Sequence, residues 1–105
     1  MKLLDLVVHL AERRPLDSLF LEQGVDPAAE PLTVYLRDGL VREADIALLG
    51  EEETGGLIDY HQDGKHWVYC LELDLVEEFV EEGLAQQMSP TEIAARVLHY
   101  ALYDA

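Results

Sequence analysis

The dipeptide Asp63-Gly64 constrains this chain more than any other pair of residues. A two-residue type I′ loop needs positive φ at both central positions, which Asp-Gly tolerates and most pairs do not. The residues on either side alternate apolar with polar, so the loop specifies a register. Gln62 should stand opposite Lys65, His61 opposite His66, Tyr60 opposite Trp67, Asp59 opposite Val68 and Ile58 opposite Tyr69. Side chains alternate across a sheet. Ile58, Tyr60, Trp67, Tyr69, Leu71 and Leu73 therefore share one face, and Asp59, His61, His66, Val68, Cys70 and Glu72 the other. The first face is expected to be core and to meet the apolar stripes of the first and last helices. Burial of Trp67 alone would contribute ~2–3 kcal/mol. The second face is half polar.

Helices are predicted at both ends. Lys2 to Arg14 carries Leu3, Leu6, Val7 and Leu10 at helical spacing, with Pro15 as its stop and Arg13 and Arg14 in the last turn, where the helix dipole favours cations. Ser89-Pro90-Thr91-Glu92 supplies an N-cap, a proline at the first helical position and a glutamate three residues after the cap, so the last helix runs from Pro90 to about Tyr103. Between them, 17–23 alternates enough to suggest a short strand, 24–31 is a proline-bounded loop, and Leu32 to Leu36 is β-branched and aromatic enough for a strand ending at the Asp38-Gly39 turn. A further strand is expected over 44–49 and an exposed acidic loop over 50–56. After the hairpin, Asp74 and Glu77 form an approximate capping box for a helix from Leu75 to Glu82, with Val76, Phe79 and Val80 inward, Glu77, Glu78, Glu81 and Glu82 facing water, and Gly83 as its stop. The pattern reads as one α+β domain over 1–105: a small, mostly antiparallel sheet with the N-terminal and C-terminal helices packed on one face.

Charge narrows what such a domain can do. Twenty-two acids against seven bases give a formal charge of −15, which repels phosphates and anionic membranes and attracts basic protein surfaces. Direct nucleic-acid binding is disfavoured, and no apolar run approaches the ~20 residues a membrane span needs. The single cysteine, Cys70, rules out an internal disulfide and fits a reducing, cytoplasmic compartment. The acids are uneven: residues 1–50 hold nine acids and five bases, residues 51–105 thirteen acids and two bases. Glu72, Asp74, Glu77, Glu78, Glu81 and Glu82 fall within eleven residues. Self-repulsion at that density lowers stability unless a partner relieves it. The plain alternative is a solvated helix face that keeps the chain dispersed.

No phosphate loop, nucleophile elbow or dinucleotide fingerprint is present. His61 and His66 are cross-strand neighbours able to offer a metal two ligands, yet a zinc site needs a third and usually a fourth, so no metal and no cofactor is expected. A Cys70 thiolate would form among carboxylates, which disfavour it. Four glutamates on one helical face share one environment, which suits them poorly to acid–base catalysis and well to pairing with arginine. The reading is of a binder, not an enzyme. Tyr103, beside His99 and Tyr100, adds an amphipathic aromatic of the kind common at interfaces.

Ser89-Pro90-Thr91-Glu92 with Leu98, Tyr100, Asp104 and Ala105, following a hairpin and an acidic helix, resembles small bacterial proteins that include immunity proteins of toxin systems. The resemblance covers residues 89–105 and implies neutralisation of a toxin by binding, without assigning site residues. The expected partner is a basic protein, docking on Glu72, Asp74, Glu77, Glu78, Glu81, Glu82 and Tyr103. Two other functions are open: a nucleic-acid mimic that blocks a DNA-binding protein or a nuclease defence complex, and a metal-binding protein or enzyme built on His61 and His66.

Overall fold

The computed structural model describes residues 1–26 and 31–104. The hairpin has the expected register. Strand β3 (Asp59–Gln62) pairs antiparallel with β4 (Lys65–Glu72), Gln62 against Lys65 and Asp59 against Val68. Asp63 and Gly64 both take positive φ, 53° and 76°. Strand β1 (Leu32–Arg37) pairs with β4 on one side and with β2 (Ile46–Gly50) on the other, giving the sheet order β2-β1-β4-β3.

The central strand explains the two layers. Leu32 through Leu36 are all buried, so both faces of β1 are covered. Leu32, Val34 and Leu36, with Leu48 and Ile46 opposite, join one core with Leu3, Leu6 and Val7 of α1 (Leu3–Ala11), Leu73, Val76 and Val80 of α4 (Leu73–Ala85), and Ile93, Ala94 and Val97 of α5 (Pro90–Tyr103). The helices thus stand on one face of an antiparallel sheet, an α+β fold.

The hairpin presents its aromatic side to the other face, opposite to the sequence expectation. Tyr35 pairs with Tyr69 and Arg37 with Trp67, so Tyr60, Trp67 and Tyr69 stand with Tyr35, away from the helices. Pairing slips by one residue between Val34 and Tyr35, which brings Leu71 opposite Val34 and carries Cys70 and Leu71 into the helix-side core. A bulge of this kind breaks strict alternation, so parity counted from the turn fails beyond Tyr69. Leu73 belongs to α4. Trp67 is only half-buried and Ile58 is 69% exposed, whereas Tyr35 is the largest fully buried side chain.

What covers the aromatic face follows from topology. β2 and β3 are opposite edges of the sheet, and their connection must cross a face; the helices already occupy one. It runs as a short helix, α3 (Glu51–Thr54), where the sequence suggested an exposed loop. Thr54 is buried, and its hydroxyl accepts a hydrogen bond from the Gly56 amide at 3.1 Å. The Tyr35 hydroxyl donates to the Leu57 carbonyl at 2.7 Å, and Tyr35 meets the Tyr69 ring edge-on at 5.8 Å. A buried phenol is thereby satisfied, as its polarity demands.

Further expectations change: α1 stops at Ala11 and not at Arg14, since Arg13 takes a left-handed φ of 55° and lies beyond the helix. Residues 16–23 form a helix, α2 (Leu16–Gln23), not a strand. Pro15 stands at its N-cap and Gly24, at φ 67°, ends it; Leu19 is buried on the inner side while Leu21 is left 85% exposed. Proline before and glycine after outweigh a four-residue alternation. Helix α4 starts two residues early, with Glu72 at its N-cap and no side-chain cap, and passes through Gly83. Gly83 serves close packing: a Cβ there would fall 2.5 Å from Ile93 Cγ1. The stop comes at Gln87, which takes φ 60°, while the Met88 amide donates to the Gly83 carbonyl at 2.9 Å. The loop expected over 24–31 lies in part outside the described residues.

Candidate functional site

Helix α4 turns Leu73, Val76, Val80 and Gly83 inward. With 100° between successive residues, that inner stripe leaves Asp74, Glu77, Glu78, Glu81 and Glu82 on one continuous outer arc. Asp74, Glu78, Glu81 and Glu82 are exposed, and Glu72 sits exposed at the N-cap. Among the described residues Arg13 is the one base paired with any of the six, reaching Glu81 at 3.5 Å from the turn that follows α1, with both side chains well exposed. Such a pair is worth ~0–1 kcal/mol, too little to neutralise the face.

Glu77 departs from the expected solvated row. It is half-buried, and burial raises its carboxyl above the ordinary range, with Asp74 and Glu81 pushing the same way. It lines, with Asp74, a cleft of about 330 Å³ between α2 and α4 whose remaining walls include Leu16, Phe20, Leu32 and Leu73. The α2 wall of the cleft falls outside the site expected from sequence because the alternation over 17–23 suggests a strand. Pro15 and Gly24 as a bracketing pair are the signal that would have found it.

The other candidate residues separate. Glu72 faces a second cavity, of about 480 Å³, with Thr33, Thr54 and Tyr69 among its walls. Tyr103 lies on α5, 72% exposed, its ring against His99 at 4.8 Å. The neighbouring Tyr100 does meet α4, through Phe79 at 5.3 Å, so Tyr103 shares the flank of α5 that adjoins the acidic helix. The acids Glu51, Glu52 and Glu53 stand apart on α3, with Glu53 accepting a hydrogen bond from Gln62 at 3.4 Å.

His61 and His66 stack at 4.6 Å between ring centroids, nearly parallel, and His66 Nε2 lies 2.7 Å from Asp59 Oδ1. Among the described residues no group of three or more His, Cys, Asp or Glu side chains is placed to hold a metal ion. Cys70 is fully buried, and burial pushes its thiol up to about 12, which keeps it an inert core side chain. No helix among the described residues is long and apolar enough to cross a membrane.

Fold and site together define a small α+β domain with one acidic helix laid outward over a packed helical layer. No protein-family model, no curated protein and no solved structure matches the chain.

Proposed function

We propose that this chain is a protein-binding module that docks the outer face of α4 on a basic protein, and that the partner is an antibacterial toxin held inactive by occlusion of its cationic cleft. The observation that carries this reading is the arc of carboxylates on α4, which a single exposed pair to Arg13 offsets only weakly and of which Glu77 is half-buried. A helix selected for stability alone would intersperse lysine or arginine among them. Docked on a basic cleft, the carboxylates would pair with the arginines and lysines that otherwise hold phosphate, and Tyr103 would supply an aromatic contact at the rim. Charge of this kind raises the encounter rate and sets specificity more than it adds affinity. The module works in a reducing cytoplasm, where the lone Cys70 stays a thiol. A nucleic-acid mimic would set its acids in two phosphate-spaced rows, whereas the densest group, on α4, with Glu51 to Glu53 apart from it on α3, suits a local patch. The test is to capture the partner on immobilised protein and follow association as ionic strength rises from about 50 to 500 mM. The on-rate should fall at least tenfold, and the triple variant Glu78→Gln, Glu81→Gln, Glu82→Gln should reproduce most of that fall at low salt. An on-rate indifferent to both overturns the reading.

A further inference from the structure

We propose that the cleft between α2 and α4 is a socket for a single arginine side chain of the basic partner, an inference that rests on the acidic-face reading and names what anchors it. Leu16 and Phe20, one helical turn apart on α2, form an apolar wall with Leu32 of β1 and Leu73 of α4, while Asp74 and Glu77 bring two carboxylates to the same cleft. That is the complement of arginine, whose aliphatic stem prefers apolar cover and whose planar head takes two carboxylates at once. The start of α4 contributes about half a positive charge, which the two carboxylates outweigh. Among the described residues no base of the chain pairs with Asp74 or Glu77, since Arg13 is spent on Glu81 and Arg14 on Glu12. Glu77, already raised by burial and by its acidic neighbours, would return to the ordinary carboxylate range beside a guanidinium.

Arginine fits better than lysine. A guanidinium is weakly hydrated and stacks on aromatic rings such as that of Phe20 on the cleft wall, whereas an ammonium is a strongly hydrated point charge that gains little from an apolar wall. An uncharged side chain would cover the carboxylates without pairing them.

The experiment is an NMR titration at low salt with three blocked tripeptides: acetyl-Ala-Arg-Ala-amide, its lysine counterpart and its norleucine counterpart. The arginine peptide should produce saturable shifts at Leu16, Phe20 and Leu73, bind at least threefold tighter than the lysine peptide, and leave the norleucine peptide without effect. Glu77→Gln and Asp74→Asn, both at water-accessible positions, should each weaken it about fivefold. Shifts confined to Glu78, Glu81 and Glu82, equal response to arginine and lysine, or no saturable shift at all overturns the socket. The acidic-face reading stands or falls separately, on the salt dependence of partner association.

Discussion

Helices α4 and α5 lie side by side, similar in length and both amphipathic, yet they are built to different standards. In α5 the Ser89 hydroxyl accepts from the Glu92 amide at 3.2 Å, the Glu92 carboxylate reaches back to the Ser89 amide at 3.3 Å, and Pro90 opens the first turn. In α4 no side chain caps the start, a non-glycine residue takes the left-handed stop, and Glu81 and Glu82 sit in the last two turns, where the helix dipole disfavours anions. Neither helix carries a base in its last turn, so the contrast lies in the start, where α5 has a complete capping box and α4 has no side-chain cap. The inner side of α4 shows no such neglect: Val76 and Val80 are fully buried. The compromise in α4 lies at its two ends and along its outer row of acids, not in its packing.

The comparison breaks first where the two helices touch. Ile93→Ala should destabilise by ~3 kcal/mol in chemical denaturation, since the side chain is fully buried. Gly83→Ala should destabilise by ~1–2 kcal/mol despite alanine's better helix propensity, because its Cβ meets Ile93. In the Ile93→Ala background the same change should become neutral or stabilising; strict additivity would mean that the close approach is not what requires glycine. Next come the caps. Ser89→Ala should lower stability by ~1 kcal/mol, whereas Glu72→Ala should leave thermal unfolding nearly unchanged. Equal effects would erase the contrast. Gln87→Gly should stabilise by ~0.5–1 kcal/mol by relieving the left-handed residue at φ 60°. Glu82→Lys should stabilise by a few tenths of a kcal/mol at low salt and less at about 0.5 M, where screening removes the repulsion it relieves.

The smallest effect is the most specific. A carboxyl raised in the native state binds its proton more tightly there than in the unfolded chain, so Glu77 carries no penalty below its ordinary value of 4.5 and a growing one as pH rises through the raised native value. Glu77→Gln should therefore match the parent protein at low pH and become the more stable of the two as pH rises across that window. A constant difference at all pH values would place the Glu77 carboxyl in ordinary solvent.

Local chemistry was legible in the sequence wherever a motif had no competitor. Asp63-Gly64 specified the hairpin register, and Ser89 to Glu92 specified the start of α5, because each satisfies a backbone requirement that few residues meet. Facing was not legible. Which side of the hairpin meets the helices depends on β1 and on the slip beside Cys70, and neither leaves a mark in the alternation of 58–73. Gly83 was misread for a related reason: a glycine near a helix end serves equally as a stop or as a contact, and only the distance to Ile93 decides. At the site, the carboxylates of α4 were visible as a run of acids, but the cleft needed α2, whose Leu19 and Leu21 imitate a strand until Pro15 and Gly24 are given their weight.

The hydroxyl of Tyr35 closes on the Leu57 carbonyl, and the next carbonyl, that of Ile58, accepts from the Tyr69 amide at 2.8 Å. The crossing from β2 to β3 is in effect buckled to the middle of the sheet at two successive peptide units. Opening it strips a buried phenol and a strand amide together, so the deuterium uptake of Tyr69 should track that of the amides in β1 and not the faster exchange of a surface hairpin.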